Sequence, residues 1–310
     1  THKGQPPSYF SPYGISTLED GPKGEYLSDR EAAEACKFIE QNREKPFFLY
    51  LPQHCVHTPI QGKKDVIEKY KAQITPRTRH SNPAYAAMVE SVDDTMGRIL
   101  AKLDELKLTE RTHVFFTSDN GGLMGPTSNA PLRVGKGSAY EGGVRVPLIA
   151  RCPGFTPAGS VCERLVMTID FFATLAELAG FNLDAKTAAA LDGKSLLPLL
   201  KDPAAALERE LYWHYPHYHP GGATPYGAVR SGNFRLVEFY ESMRVELYDL
   251  AADVSEKTDL SEKMPEKAAE LRKKLQAWRA SVGAQMPTPN PNYDPAADAA
   301  GKPKPKKKRG

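Results

Sequence analysis

Three short stretches carry the residue types best suited to chemistry. The first is Ser118-Asp119-Asn120-Gly121-Gly122, directly after the apolar run His113–Thr117 (HVFFT). In parallel α/β sheets, ligands bind at the carboxyl ends of strands. Asp119 and Asn120 at such a place offer hard oxygen ligands suited to Ca2+ or Mg2+. The two glycines let the backbone turn sharply and come close to a ligand. The same residues also make a good turn with no ligand at all. The second stretch runs from Gly135 to Pro147 (GKGSAYEGGVRVP). Lys136, between two glycines, is an exposed, flexible point charge suited to a tetrahedral anion. The third is Val56-His57-Thr58-Pro59, just after Phe47–Leu51 (FFLYL). An imidazole at a strand end is a candidate general acid.

Other residues invite a chemical role and also admit a plainer one. Trp213 to His219 (WHYPHYH) holds three histidines. It reads as a polar aromatic surface loop, with a zinc site as an alternative. Arg230 can contact an anion or pair with a carboxylate. Asp93-Asp94 falls mid-helix and reads as a solvated face. Asp170 and Asp192 read as helix-capping and turn residues rather than ligands. None of the cysteines, Cys36, Cys55, Cys152 and Cys162, forms a CxxC pair, which argues against a zinc ribbon. Cys152 and Cys162 are close enough in sequence to pair.

The elements that must position these residues follow from pattern. Ser28 with Glu31 three residues on reads as a capping box, opening a helix to about Asn42. FFLYL, bounded by Pro46 and Pro52, and HVFFT read as buried strands, as does Val146–Ala150. Tyr85, Met88, Val92, Ile99, Leu103 and Leu106 form one apolar stripe, predicting a helix from about Ala84 to Leu106. Ile169–Ala179 reads as another helix. Alternating strands and helices imply an α/β fold with a mostly parallel sheet flanked by helices. After about Leu200 the pattern changes to a small α+β subdomain, with antiparallel strands in Ala228–Tyr240 and Arg244–Leu250 and a helix over Pro265–Val282. The expected divisions are 1–205, 206–285 and a tail, 286–310. Residues 1–27, rich in Gly, Pro and Tyr, read as an irregular lead-in.

Composition bounds the function. With 40% hydrophobic and 25% charged residues, the chain is an ordinary globular sequence. No apolar run approaches the roughly 20 residues needed to span a bilayer. The net charge of +3 is uneven. Lys302, Lys304, Lys306, Lys307, Lys308 and Arg309 oppose only Asp294 and Asp298, so the tail carries +4 and the rest −1. Such a tail cannot bury enough apolar surface to order itself, and it can attract polyanions. Nothing indicates a nucleic-acid-binding fold.

The order KPFFLYLP…HTP, GRILAKLDEL, FTSDNGG and GKGSAYEGGVRVP resembles the type I, formylglycine-dependent sulfatases of the alkaline phosphatase superfamily. The likeness covers roughly residues 7 to 285 and looks most like bacterial secreted sulfatases of the arylsulfatase A type. It implies hydrolysis of a sulfate ester, with a sulfated small molecule or polysaccharide as substrate and a secreted or periplasmic location. Asp119 and Asn120 would be two ligands of a divalent ion, usually Ca2+, with Mg2+ possible. Lys136 would bind sulfate oxygens, and His57 would protonate the leaving alcohol. Similar sulfatases send C-terminal loops over the pocket, which implies substrate contacts from His217 and His219, and Arg230 is a further candidate.

The chain departs from the family at the nucleophile. No Cys or Ser opens the C/S-x-P/A-x-R motif that becomes formylglycine. The family's N-terminal Asp-Asp metal pair and its Gly-Lys-Trp-His-Leu-Gly segment are also absent. We therefore expect a chain truncated at its start, inactive alone and weakened in metal binding. The alternatives are a phosphoesterase of the same superfamily and a non-catalytic sulfate- or polyanion-binding protein.

Overall fold

The structure is a computed structural model and describes residues 7–293. The charged tail beyond Tyr293 lies outside the described residues. Eight α-helices and six strands are described: α1 (Leu27–Gln41), α2 (Lys64–Lys71), α3 (Pro83–Glu105), β1 (Val114–Thr117), α4 (Glu141–Val144), β2 (Leu148–Arg151), α5 (Asp170–Leu178), α6 (Ala185–Ala189), α7 (Leu197–Lys201), β3 (Glu210–Tyr215), β4 (Tyr226–Ser231), β5 (Phe234–Phe239), β6 (Arg244–Asp249) and α8 (Pro265–Ser281). This is the expected α/β class with a small antiparallel α+β region at the C-terminal end.

Helix α3 starts where Asn82 accepts a hydrogen bond from the Tyr85 N–H (3.0 Å) and Pro83 fills the first turn. Its seam against α1 is narrower than the predicted stripe. Met88, Ile99 and Leu103 are buried in it, together with Ser91 and Thr95. Each of the two hydroxyls donates to the carbonyl four residues before it, Ala87 (3.0 Å) and Ser91 (2.9 Å). Small side chains satisfied by their own helix let α1 come close without orphaning a polar group.

Helix α1 begins at Leu27, and the expected capping box does not form. Ser28 is fully buried and donates to the Cys55 Sγ (3.1 Å), while Glu31 accepts from His54. Both side chains have found tertiary partners in the His54–Thr58 loop, which outcompete the local cap. The described part of the lead-in, from Pro7, contributes to the core. Tyr9, Tyr13 and Tyr26 are buried with Leu27 and Met88. The Tyr9 hydroxyl lies 2.6 Å from the His54 carbonyl and 2.9 Å from that of His57.

Phe47–Leu51 differs from its expected state. Phe47, Leu49 and Leu51 pack on the α1–α3 core, but Phe48 and Tyr50 are 67% and 75% exposed. One face alone is covered, and the segment joins no ladder of the described strands. Strands β1 and β2 pair antiparallel, Val114 opposite Arg151 and Thr117 opposite Leu148. No ladder between the described strands is parallel. The chain between β1 and β2 returns through a long Gly-rich excursion with only the single turn α4. It lacks the crossover helix that brings a following strand in parallel.

Strands β3 to β6 form a four-stranded meander in sequence order. What was expected as one long strand, Ala228–Tyr240, is the hairpin β4–β5. Trp213, His214 and Tyr215 lie in β3 rather than in a loop. One sheet face packs Val229, Leu236 and Leu247 on Ala268, Leu271 and Leu275 of α8. The other face packs Ala228 and Val237 against Ala139. That contact crosses the division expected at residue 205. Cys152 is buried and Cys162 exposed, both as free thiols, so the pairing that sequence leaves open is not made.

Candidate functional site

Strand β1 delivers its chain into the Ser118–Gly122 turn, where the Ser118 hydroxyl donates to the Asn120 carbonyl (3.0 Å). Main-chain bonds then stitch this turn to the second motif. The Lys136 N–H donates to the Gly122 carbonyl (3.0 Å), and the Gly121 N–H donates to the Gly143 carbonyl (3.0 Å). Glycine is required at 121 because a Cβ there would stand 1.7 Å from the Gly142 oxygen. Asn129 holds the turn from the other side, donating to the Gly122 carbonyl and accepting from its N–H, both at 2.9 Å. Asp119, Asn120 and Lys136 are thus brought into one backbone unit.

The histidine-bearing segment after β3 docks on that unit. The Ala223 N–H donates to the Gly137 carbonyl (3.0 Å). A Cβ on Gly137, whose φ is +75°, would lie 1.9 Å from the His219 Nδ1, so the imidazole rests directly against the glycine after Lys136. The His219 Nδ1 accepts from the Gly221 N–H (2.8 Å), which leaves the neutral ring's proton on Nε2. His217 is exposed and meets Tyr215 edge-on at 5.6 Å. His214 is spoken for at both nitrogens, by the Tyr240 hydroxyl (2.6 Å) and the Gln285 carbonyl (2.9 Å). No cluster of three or more His, Cys, Asp or Glu suited to a metal occurs among the described residues.

His57 lies on a separate loop. Its Nδ1 stands 3.2 Å from both the Thr58 carbonyl, which can only accept, and the Thr58 hydroxyl, which can donate. Either contact engages Nδ1 and leaves Nε2 as the atom to face a ligand. The loop is fixed by the Tyr9 hydroxyl and by the His54–Glu31 contact (Nδ1 to Oε1 2.6 Å). The hydrogen bond to Glu31 raises the His54 pKa above its ordinary value.

Arg230 has a carboxylate partner. Its guanidinium lies 3.2 Å from the Glu141 Oε2, the pairing that was one of its two expected roles. Glu141 sits inside the GKGSAYEGG motif and is nearly fully buried, yet it was not singled out from sequence. It also meets Arg235, fully buried on β5, at 2.9 Å. Arg235 further donates to the Ala139 carbonyl (2.6 Å). Glu256 completes the group, accepting from the Glu141 N–H at 2.7 Å. The one advance sign was two opposite charges, Arg235 and Glu238, inside the short strand Phe234–Phe239. Asp170 is likewise structural. It accepts from the Met167 and Lys194 N–H groups and pairs with Arg209.

Burial pushes the Glu256 carboxyl up to about 7, against the opposing pull of Arg235 and of the Glu141 N–H. The folded chain therefore holds this proton more tightly than the unfolded chain, whose glutamate titrates near 4.5. The resulting stability is complete below that value and is lost as pH rises through about 7. Glu256→Gln is expected to flatten this part of the pH dependence of urea unfolding. An unchanged slope between those pH values would show that Glu256 is ionised throughout.

Residues 3–181 match the family model described as Sulfatase, and residues 134–281 match that of N-sulphoglucosamine sulphohydrolase, C-terminal. A sulfatase of Formosa agariphila is 39% identical over 284 residues, covering 84% of this chain and 51% of that protein. The N-acetylgalactosamine-6-sulfatase of Sus scrofa is 36% identical, covering 66% of this chain and 37% of that one. Among solved structures, Ps i-CgsB in complex with k-i-k-neocarrahexaose superimposes with a TM-score of 0.69 at 28% identity, over 84% of this chain and 57% of that one. The chain spans about half the length of the first of these curated relatives and less of the second. The family model covers more than half of the chain, its match takes in all three motifs, and the chain belongs to the sulfatase family.

Proposed function

We propose that this chain is the leaving-group and anion-binding part of a sulfuric ester hydrolase acting on sulfated carbohydrates. The observation that carries the reading is the direct bonding of the Lys136 loop to the Asp119–Asn120 turn through Gly122 and Gly143. That arrangement joins the residue bearing the cation to the two residues bearing oxygen donors through one backbone unit, which suits a sulfuryl group between a metal and an ammonium. Lys136 offsets charge on the sulfate oxygens, which is worth most where the group is preorganised. His57, engaged at Nδ1 by the Thr58 hydroxyl as donor, carries its ring proton on Nε2 and gives it to the leaving oxygen.

Asp119 and Asn120 fit Ca2+ or Mg2+ in kind, as hard oxygen donors, but two residues are fewer than the six to eight ligands of Ca2+. When bound, such an ion would polarise the sulfate oxygens. The nucleophile, formylglycine in this family, is on this reading supplied from outside these 310 residues, which contain no suitable motif. On this reading the 310-residue chain by itself binds sulfate esters without turning them over. The i-CgsB structure holds a neocarrahexaose and the pig relative is named for an amino-sugar sulfate, which supports a carbohydrate substrate. No described helix is long and apolar enough to cross a membrane, and a secreted or periplasmic setting suits such a substrate.

The test assays the protein containing this chain together with a nucleophile-bearing segment. Aryl sulfate, aryl phosphate and sulfated sugars are compared. Sulfate esters are expected to be preferred, with sugar sulfates ahead of aryl sulfate in kcat/KM. Preference for the phosphate would sink the sulfatase reading in favour of a phosphoesterase. Turnover of sulfate esters by the 310 residues alone would refute the division of labour.

A further inference from the structure

Arg235 lies on β5, yet its guanidinium reaches into the loop that carries Lys136. It donates to the Ala139 carbonyl at 2.6 Å and to the Glu141 Oε1 at 2.9 Å. Its Nε faces the Glu256 Oε1 at 3.7 Å, and the Trp213 ring stacks 4.7 Å from its Cζ. Arg235 and Glu256 are fully buried and Glu141 is 2% exposed. The segment it grips has little structure of its own. α4 is a single turn of four residues, too short to hold itself. The near end of the segment is fixed by the Gly122 bond to the Lys136 N–H. The far end is held by the Gly121 N–H on the Gly143 carbonyl, and between the two Arg235 fixes Ala139 and Glu141.

A buried ion pair is a poor source of net stability, since apolar replacements often match it. A guanidinium does what an apolar group cannot: its rigid fork sets two acceptors in one plane at fixed spacing. Building on the reading of Lys136 as the sulfate-binding cation, we propose that Arg235 is a positioning residue for Lys136, acting through the Ala139 carbonyl and the Glu141 carboxylate. The C-terminal sheet thereby sets the register of the anion-binding loop. Glu256 supports the same arrangement by holding the Glu141 N–H at 2.7 Å.

The test uses the 310-residue chain and needs no turnover. Acetylation of the Lys136 amine is followed by peptide mass spectrometry while inorganic sulfate is titrated as the protecting probe. Amide exchange across β4–β6 and α8 is read in parallel. Arg235→Lys keeps the charge but loses the fork. It is expected to raise the half-protecting sulfate concentration about tenfold, equivalent to about 1.4 kcal/mol, while exchange in β4–β6 and α8 stays unchanged. Glu256→Gln, which keeps an acceptor for the Glu141 N–H, is expected to shift it less, in the same direction. An unaltered half-protecting concentration in a folded Arg235→Lys chain overturns the proposal. So does a loss of protection throughout the sheet in both variants, which would make the role one of general stability. Sulfate that fails to protect Lys136 in the unaltered chain refutes the reading of the site itself, and that result is seen before any variant is compared.

Discussion

Asp170→Ala is expected to destabilise the chain by about 3–5 kcal/mol, the cost of breaking a buried ion pair by removing one partner. Asp170 is fully buried, and Arg209, 2.7 Å away, is 6% exposed. Without the carboxylate, the guanidinium keeps its desolvation cost and loses its counter-charge. Two backbone donors lose their acceptor as well: the Met167 N–H at 2.7 Å and the Lys194 N–H at 2.9 Å. The second of these ties the Asp192-Gly193-Lys194 turn to the start of α5. The neighbouring Thr174 hydroxyl accepts from the Leu196 N–H (2.9 Å) and donates to the Asp170 carbonyl (2.7 Å), so the same cluster joins α5 to the approach of α7. Urea unfolding monitored by circular dichroism measures the loss. The double variant Asp170→Ala/Arg209→Met should recover part of it, because the orphaned charge is then gone. A loss below about 1 kcal/mol in the single variant, a range typical of exposed pairs, would mean that water reaches Arg209 and that the cluster is not sealed.

The Asp119–Asn120 turn and the Lys136 loop were legible because glycines and polar residues at short spacings reflect constraints within a few residues. Asp170, expected as a capping and turn residue, opens α5 without a side-chain cap, and its carboxylate takes the Lys194 N–H and Arg209 from far along the chain. The failures all involve distant partners. Ser28 and Glu31 carry a capping-box spacing, but Cys55 and His54 took their side chains. Tyr9, Tyr13 and Tyr26 sit in a Pro- and Gly-rich stretch with no period, and only tertiary contact makes them core. Arg235 and Glu238 alternate onto opposite faces of β5, and both faces are covered. Arg235 meets Glu141, while Glu238 meets Arg272 and Arg279 of α8. A polar–apolar alternation exists only where one face is wet, so this strand carried no readable signal for which charge faced the site. The same limit hid the end of the aromatic run at Trp213, which reads as a loop by composition and pairs Trp213 with Ala228 in the sheet.

On the proposed reading, Lys136→Ala is expected to lower kcat on aryl sulfate by about 100- to 1,000-fold in a protein joining this chain to a nucleophile-bearing segment, the range found when a preorganised charge-stabilising donor is removed. The physical basis is placement. The Lys136 N–H is fixed to the Gly122 carbonyl at 3.0 Å, so the side chain leaves from a backbone already bonded to the metal-suited turn. A donor so placed costs no reorganisation when charge develops on the leaving oxygen. Ground-state sulfate esters already carry charge, so KM should rise too, but by a smaller factor than kcat falls. Lys136→Arg is the informative companion. It keeps the charge but replaces a compact ammonium with a planar fork, next to a His219 ring resting on Gly137. It should therefore recover substrate binding more fully than turnover. Stopped-time assays with aryl sulfate over a concentration series separate the two constants. A Lys136→Ala enzyme with full kcat and only a raised KM would show that the ammonium holds the substrate without stabilising the transition state.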